Sequence, residues 1–197
     1  MILSKLSSCI IACLALVQLT AQQPNFRALP DGYYSDHIEV LGAKPAIIAS
    51  QLYNKGGVKL TAFNPENERH FVKMADGQTE VNKDRYIGFA RNGVFYWNFK
   101  GDFYRLGLTG MLSHVVVTQT SYNTVNGFDG PYTTTEQISM VIDFNTGNSF
   151  AFEPEPFEAF LQENAFELYQ EFAGIKKRKD KKRALFVFLR RYNDLYK

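Results

Sequence analysis

Between Tyr86 and Leu108 the chain is largely apolar, and the pair Asn92-Gly93 separates two apolar runs, Tyr86 to Ala90 and Val94 to Trp97. Asn-Gly supplies the two positive-φ positions of a type I′ turn, so the pattern predicts a hairpin in which Arg91 opposes Val94. That register puts Tyr86, Gly88 and Ala90 on the face of Phe95, Trp97 and Phe99, small residues opposite large rings. A second turn around Lys100-Gly101-Asp102 keeps the parity, so Tyr104, Leu106 and Leu108 join the same face. The predicted three-stranded meander therefore has one wholly apolar face, which must be core. Its other face carries Ile87, Phe89, Arg91, Val94, Tyr96, Asn98, Phe103 and Arg105, and a mixed face of this kind is either covered by the C-terminal helices or open to a partner.

Further strands are predicted over 46–53, 58–63, 70–74 and 111–120, and over 137–144, where Ile138, Met140 and Ile142 alternate with polar neighbours. A turn at Asn145-Thr146-Gly147 leads into 149–152. Residues 121–136 are turn-rich and without period, which predicts a long loop, a kind of segment that often carries function. After Pro154 and Pro156 the period lengthens. Asn164-Ala165-Phe166-Glu167 has the cap-plus-acid spacing of a helix start, and Gly174 suits the matching stop. In a last helix Leu185, Phe188, Leu189, Tyr192, Leu195 and Tyr196 form one apolar stripe. The expected fold class is α+β: a predominantly antiparallel β meander or partial barrel followed by two to three C-terminal helices, the helical part covering about 154–197.

The N-terminus follows a different rule. One charge at Lys5, an apolar stretch from Leu6 to Leu19 and then Thr20-Ala21-Gln22 are the charge, core and small-residue order of a secretory signal. Residues 1–21 are expected to be a signal peptide and 22–197 a single β-rich domain, exported to the periplasm or beyond the cell. A membrane-spanning reading is weaker, because the stretch is shorter than the ~20 residues a bilayer needs and contains Ser7 and Ser8. Ile10-Ile11-Ala12-Cys13 has the form of a lipoprotein cleavage site, so anchoring at Cys13 is the alternative, although Leu14-Ala15-Leu16-Val17 would then leave an apolar mature end. Both cysteines, Cys9 and Cys13, lie in the segment to be removed, which would leave no thiol nucleophile, Cys-ligated metal or disulfide.

Charge adds an asymmetry. The chain is +2 overall, yet from Lys176 to the end ten basic residues face only Asp180 and Asp194, so the preceding chain is net acidic. Glu153, Glu155, Glu158, Glu163, Glu167 and Glu171 lie just upstream, which predicts pairing of an acidic helix with a basic one. The run from Lys176 to Arg183 would otherwise suggest nucleic acid or an acidic membrane surface. Export disfavours nucleic acid and leaves anionic lipid or envelope glycan beside a solvated helix start.

Three groups of residues carry a resemblance: Leu29-Pro30-Asp31-Gly32-Tyr33-Tyr34 with Lys44-Pro45; Asn92-Gly93-Val94-Phe95-Tyr96 with Phe103-Tyr104-Arg105-Leu106; and Phe188-Leu189-Arg190-Arg191-Tyr192-Asn193. With them the chain resembles a family of secreted proteins of unknown function from Bacteroidota-type Gram-negative bacteria. It departs from that pattern at Ser35-Asp36-His37-Ile38, where the family has an aromatic-acidic helix start. The resemblance implies export and brings no activity and no functional residue.

Catalytic patterns are sparse. His37, His70 and His114 sit in separate segments and form no spaced pair, so no metal site is assigned. Ser113 and His114 are neighbours that a strand would point to opposite faces, and no Gly-x-Ser-x-Gly occurs. Gly107-Leu108-Thr109-Gly110 and Gly56-Gly57 lack the residues that would hold a phosphate and suit turns. The loop Asn126-Gly127-Phe128-Asp129-Gly130 does not have the spacing of a twelve-residue calcium loop and suits a turn as well. Asp102, Asp129, Glu136 and Asp143 are the carboxylates from which a hydrolase pair would have to come. No catalytic, cofactor or metal residue is therefore assigned. The expected role is a non-enzymatic envelope or extracellular binding module that meets a protein, glycan or lipid through Phe89, Tyr96, Phe103 and Arg105. The alternatives are a carrier with an aromatic-lined cavity for an apolar or glycan ligand, and a hydrolase built on those carboxylates.

Overall fold

The computed structural model describes residues 23–123 and 132–197, so the expected signal segment, Cys13, and the stretch containing Asp129 lie outside the described residues. In chain order the elements are β1 (Gly32–Tyr34), α1 (His37–Leu41), β2 (Ile47–Ile48), β3 (Phe71–Met74), β4 (Gly77–Glu80), β5 (Gly88–Arg91), β6 (Val94–Phe99), β7 (Asp102–Arg105), β8 (Leu112–Asn123), β9 (Tyr132–Asp143), β10 (Ser149–Ala151), α2 (Pro154–Asn164), α3 (Phe166–Gly174) and α4 (Arg178–Asp194).

The Asn92-Gly93 turn has φ of 52° and 71°, and Arg91 opposes Val94 with Gly88 opposite Trp97. The next turn uses Lys100-Gly101, again with both φ positive, and Phe99 opposes Asp102. Strands β2-β1-β5-β6-β7 form one antiparallel sheet and β10-β9-β8 another, with β3-β4 a separate hairpin. The chain turns the corner between the two sheets at Leu108, whose backbone bridges His114, and the Tyr104 hydroxyl donates to Thr118 O at 2.9 Å. The fold is α+β: among the described residues ten antiparallel strands, eight of them in the two larger sheets and two in the β3-β4 hairpin, are followed by three C-terminal helices.

Successive residues of a strand face opposite sides. Tyr34 accordingly packs with Phe95 in the larger buried cluster, and Tyr33 packs with Phe89 in a smaller second one. The larger cluster fills the space between the apolar face of the meander, strands β8 and β9, and the C-terminal helices. Leu185, Phe188, Leu189 and Tyr192 of α4 belong to it. The predicted pairing of acids and bases also forms: Arg178 and Lys182 meet Glu153, Arg178 also meets Glu155, Lys181 meets Glu158, and Arg191 meets Glu171.

Several expectations are corrected. The C-terminal helices do not cover the mixed face of the meander; the residues between β1 and β5 do, supplying Ile47, Leu52, Leu60, Phe63, Val72 and Val81. Tyr86 and Ile87 exchange faces, Ile87 packing with the larger cluster and Tyr86 with the second. The 3-10 turn Lys83–Arg85 brings the chain in off-register, and the Asn98 side-chain amide donates to both Lys83 O and Tyr86 O. Residues 46–53 form only the two-residue β2 and a 3-10 turn over Ala49–Gln51, while 58–63 makes no strand beyond a bridge from Tyr53 to Lys59.

The loop predicted over 121–136 is strand over 121–123 and 132–136, and 124–131 lie outside the described residues. Strands β8 and β9 pair residue for residue out to Asn123 opposite Tyr132, and the β-branched Thr118, Thr120 and Thr133 to Thr135 suit such a ribbon. Asn164 does not cap α3; its amide donates back to Phe160 O, and α3 starts after Ala165 without a side-chain cap. Leu195 leaves the stripe and is 63 % exposed, because α4 ends at Asp194. At Ser35-Asp36-His37-Ile38 the Asp36 carboxylate accepts from Glu39 N at 2.9 Å and starts α1, while Glu39 accepts from Ser35 N.

Candidate functional site

The mixed face of the meander is the one on which sequence reasoning placed its contact residues. Its centre is Phe89, which has no exposed surface. Its ring stacks on Tyr96 at 4.7 Å between centroids and meets the edges of Phe103 at 4.9 Å and Phe63 at 5.7 Å. Such ring pairs each add about 0.5–1.5 kcal/mol beyond the area they bury. Phe89 is therefore a packing residue, and the four-residue patch expected at this face is not exposed as a unit: the covering segment takes its centre. Tyr96 and Phe103 are half-buried at the rim, and Arg105 is exposed and opposes Tyr96 across the strand pair.

Two polar devices hold the cover down. Tyr33, buried beside Phe63 and Phe89, shares a hydrogen bond of 2.9 Å between its hydroxyl and His70 Nδ1. His70 is wholly buried, and among the described residues its Nε2 has no hydrogen-bond partner; a carboxylate oxygen of Glu68 is 3.8 Å away. Burial, with the Lys83 ammonium nearby, pushes the imidazole down to about 4, so it is neutral at ordinary pH. At the other end the Arg91 guanidinium lies 5.3 Å from the Tyr96 ring centroid and donates to Asn64 Oδ1 and Glu66 Oε2, each at 3.0 Å. Its hydrogen bonds to Tyr96 and Glu66 hold its charge still more firmly.

Between these clamps the rim opens into a cavity of about 510 Å³ lined by Pro65, Glu66, Asn67, Lys83, Gly101, Asp102, Phe103 and Tyr104. A neighbouring cavity of about 430 Å³, sharing Gly101, is lined by Asp84, Arg85, Tyr86, Ile87, Asn98 and Lys100. The Lys100-Gly101 turn positions both, and Lys83 is fixed at the first by donating to Pro65 O. The linings combine aromatic residues with charges of both signs. It contains no nucleophile paired with a base.

The remaining candidates are dispersed. His37 begins α1 with its ring beside Gly147, and His114 on β8 bonds Ser139 Oγ through Nε2 at 2.7 Å, burial lowering its pKa. Asp143 is buried and accepts from Asn145 N and Thr146 Oγ1 in its own turn. Asp102 begins β7, and Glu136 is exposed on β9 opposite Gln119. Among the described residues no three His, Cys, Asp or Glu side chains converge in a way that would hold a metal ion, and no helix is long and apolar enough to cross a membrane.

Asn64, Pro65, Glu66 and Lys83 are the rim residues that sequence reasoning missed. Their segment has no period, and its only signal was an arginine, Arg91, on a half-apolar face and in need of an acceptor. Comparison with protein-family models, with curated proteins and with solved structures gives no match.

Proposed function

We propose that the chain is an exported, non-enzymatic module of the cell envelope that binds a protein partner at the rim of the meander's mixed face. One observation carries this reading. The lining of the 510 Å³ cavity brings Phe103, which packs on the mixed face, together with Lys83, Glu66 and Asp102, and Arg105 adjoins it on the same strand and the same face. Aromatic residues and arginine next to mixed charge suit a contact that is made and released in water. The export half of the reading rests on the order of charge, apolar core and small residues over 1–21 and on the resemblance to secreted proteins of Bacteroidota-type bacteria.

A carrier with an aromatic interior finds less support, since Tyr33, Phe63, Phe89 and Tyr96 are spent on one another. A hydrolase finds less still, with Asp143 held by its own turn. The test is a photo-crosslinking residue placed at Arg105, with Thr135 on the exposed end of β9 as control, in the cell that makes the protein. A discrete adduct from position 105 that is absent from position 135 and is lost with Lys83→Glu is the expected outcome. Equal labelling from both positions, or none from 105, would overturn the proposal.

A further inference from the structure

Apart from Arg183 and Lys197, which pair with Asp180 and Asp194, the basic residues of the C-terminal region fall into two sets. Arg178, Lys181, Lys182 and Arg191 turn inward to carboxylates of α2 and α3. Lys179 and Arg190, with Lys176 and Lys177 just before the helix, are exposed and have no ion-pair partner among the described residues. Lys179, Arg183, Phe186 and Arg190 follow each other at spacings of four, three and four, which stacks them on one side of α4, away from the buried Leu185, Phe188, Leu189 and Tyr192.

Apolar surface lies within this basic stripe. Phe186 touches His114 and Phe152 at its inner edge yet remains 42 % exposed, and Val187 beside it is 54 % exposed. Val116, two residues along the same face of β8 from His114, is 46 % exposed. Asp180 and Asp194 also lie on this side, but each is engaged by a basic neighbour, Arg183 and Lys197 respectively. The net field of the surface is positive.

We infer that this outward face of α4 docks on an anionic phospholipid membrane surface. Lysine and arginine would meet lipid phosphates, while Phe186, Val187 and Val116 would enter the boundary between headgroups and acyl chains. The exposed apolar residues favour a membrane over a soluble polyanion, which would need the charges alone. The export proposed above would supply such a surface, and because the paired basic set folds onto α2 and α3, Lys176, Lys177, Lys179 and Arg190 are the basic residues of this region that have no carboxylate partner among the described residues. The inference rests on neither the cavity beside Phe103 nor a protein partner.

The test uses residues 22–197, which hold both buried clusters and every element described, in co-sedimentation with phosphatidylglycerol-containing vesicles and with vesicles of phosphatidylcholine alone. Binding to the anionic vesicles only, weakening as salt is raised, is expected. Lys179→Gln with Arg190→Gln should lower the partition coefficient roughly thirtyfold, and Val187→Ser roughly threefold to tenfold. Arg178→Gln with Lys182→Gln removes the same charge from the paired set and should change it less than about threefold. All these side chains except Val187 are hydrophilic and none is buried, so an unchanged thermal midpoint identifies variants that retain the fold. Absence of anionic-vesicle binding, equal binding to neutral vesicles, or equal loss in the two charge variants would overturn the inference. So would capture by dextran sulfate that matches vesicle binding and ignores Val187→Ser, which would mark a polyanion surface instead.

Discussion

Gly88 shows how narrowly the meander is fitted. A Cβ there would lie 2.3 Å from Tyr96 O and 2.7 Å from Phe95 Cζ, so neither backbone nor ring leaves room. Gly88→Ala is predicted to cost about 1–3 kcal/mol in denaturant unfolding, and an unchanged midpoint would contradict the packing described. The sequence showed this position as a small residue facing large rings, and the register that placed it came from one local signal, Asn92-Gly93. His70 was not legible in that way. Its partner Tyr33 is thirty-seven residues away, and only the fold brings them together.

The neutral His70 imidazole sets a pH dependence. Its folded pKa lies below the unfolded value of about 6.5, so the unfolded chain takes up the proton first. Stability is complete above about pH 6.5 and falls as pH drops toward 4. His114, also lowered by burial, acts in the same direction. His70→Gln should flatten urea-unfolding stability between pH 6.5 and 5, above the carboxylate range. A slope identical to that of the parent chain would show that His70 is not the group responsible.

At the scale of elements, the C-terminal helix is docked by a polar device as well as by its stripe. Asn193 is buried, and its side chain accepts from Leu112 N and donates to Leu112 O, each at 2.8 Å. It occupies the place a neighbouring strand would take. Asn193→Leu strands two buried backbone groups and should cost about 2–4 kcal/mol. Leu189→Ala should cost about 2–5 kcal/mol and Leu195→Ala less than about 0.5 kcal/mol, although both lay on one stripe in the sequence. Equal costs for the two leucines in thermal or denaturant unfolding would contradict the end of α4 at Asp194. Periodicity identified the stripe because a helix repeats; it carried no information about where the surface that the helix covers comes to an end. The cap at Asn164 failed for a related reason, since an asparagine offers its amide to the preceding turn as readily as to the next one.

At the scale of the molecule, the sheet β2-β1-β5-β6-β7 is buried on both sides, and Tyr33 and Tyr34 send one ring into each cluster. The apolar side was legible from alternation. The covering of the mixed side was not, because residues 49–70 contain little regular structure and are held by scattered long-range contacts, among them Arg91 to Asn64 and Glu66. That cover converts Phe89 from a contact residue into core and leaves Phe103, Arg105 and Lys83 as the rim proposed to meet a partner.

Native mass spectrometry of residues 22–197 recovered from the cell that makes the protein, beside the Arg105→Glu variant recovered in the same way, tests that reading most directly. A complex of defined mass with the parent chain, depleted in the variant while both retain the same thermal midpoint, is the expected result. A single uncomplexed mass for the parent chain across preparations, or a complex that Arg105→Glu leaves untouched, would contradict it.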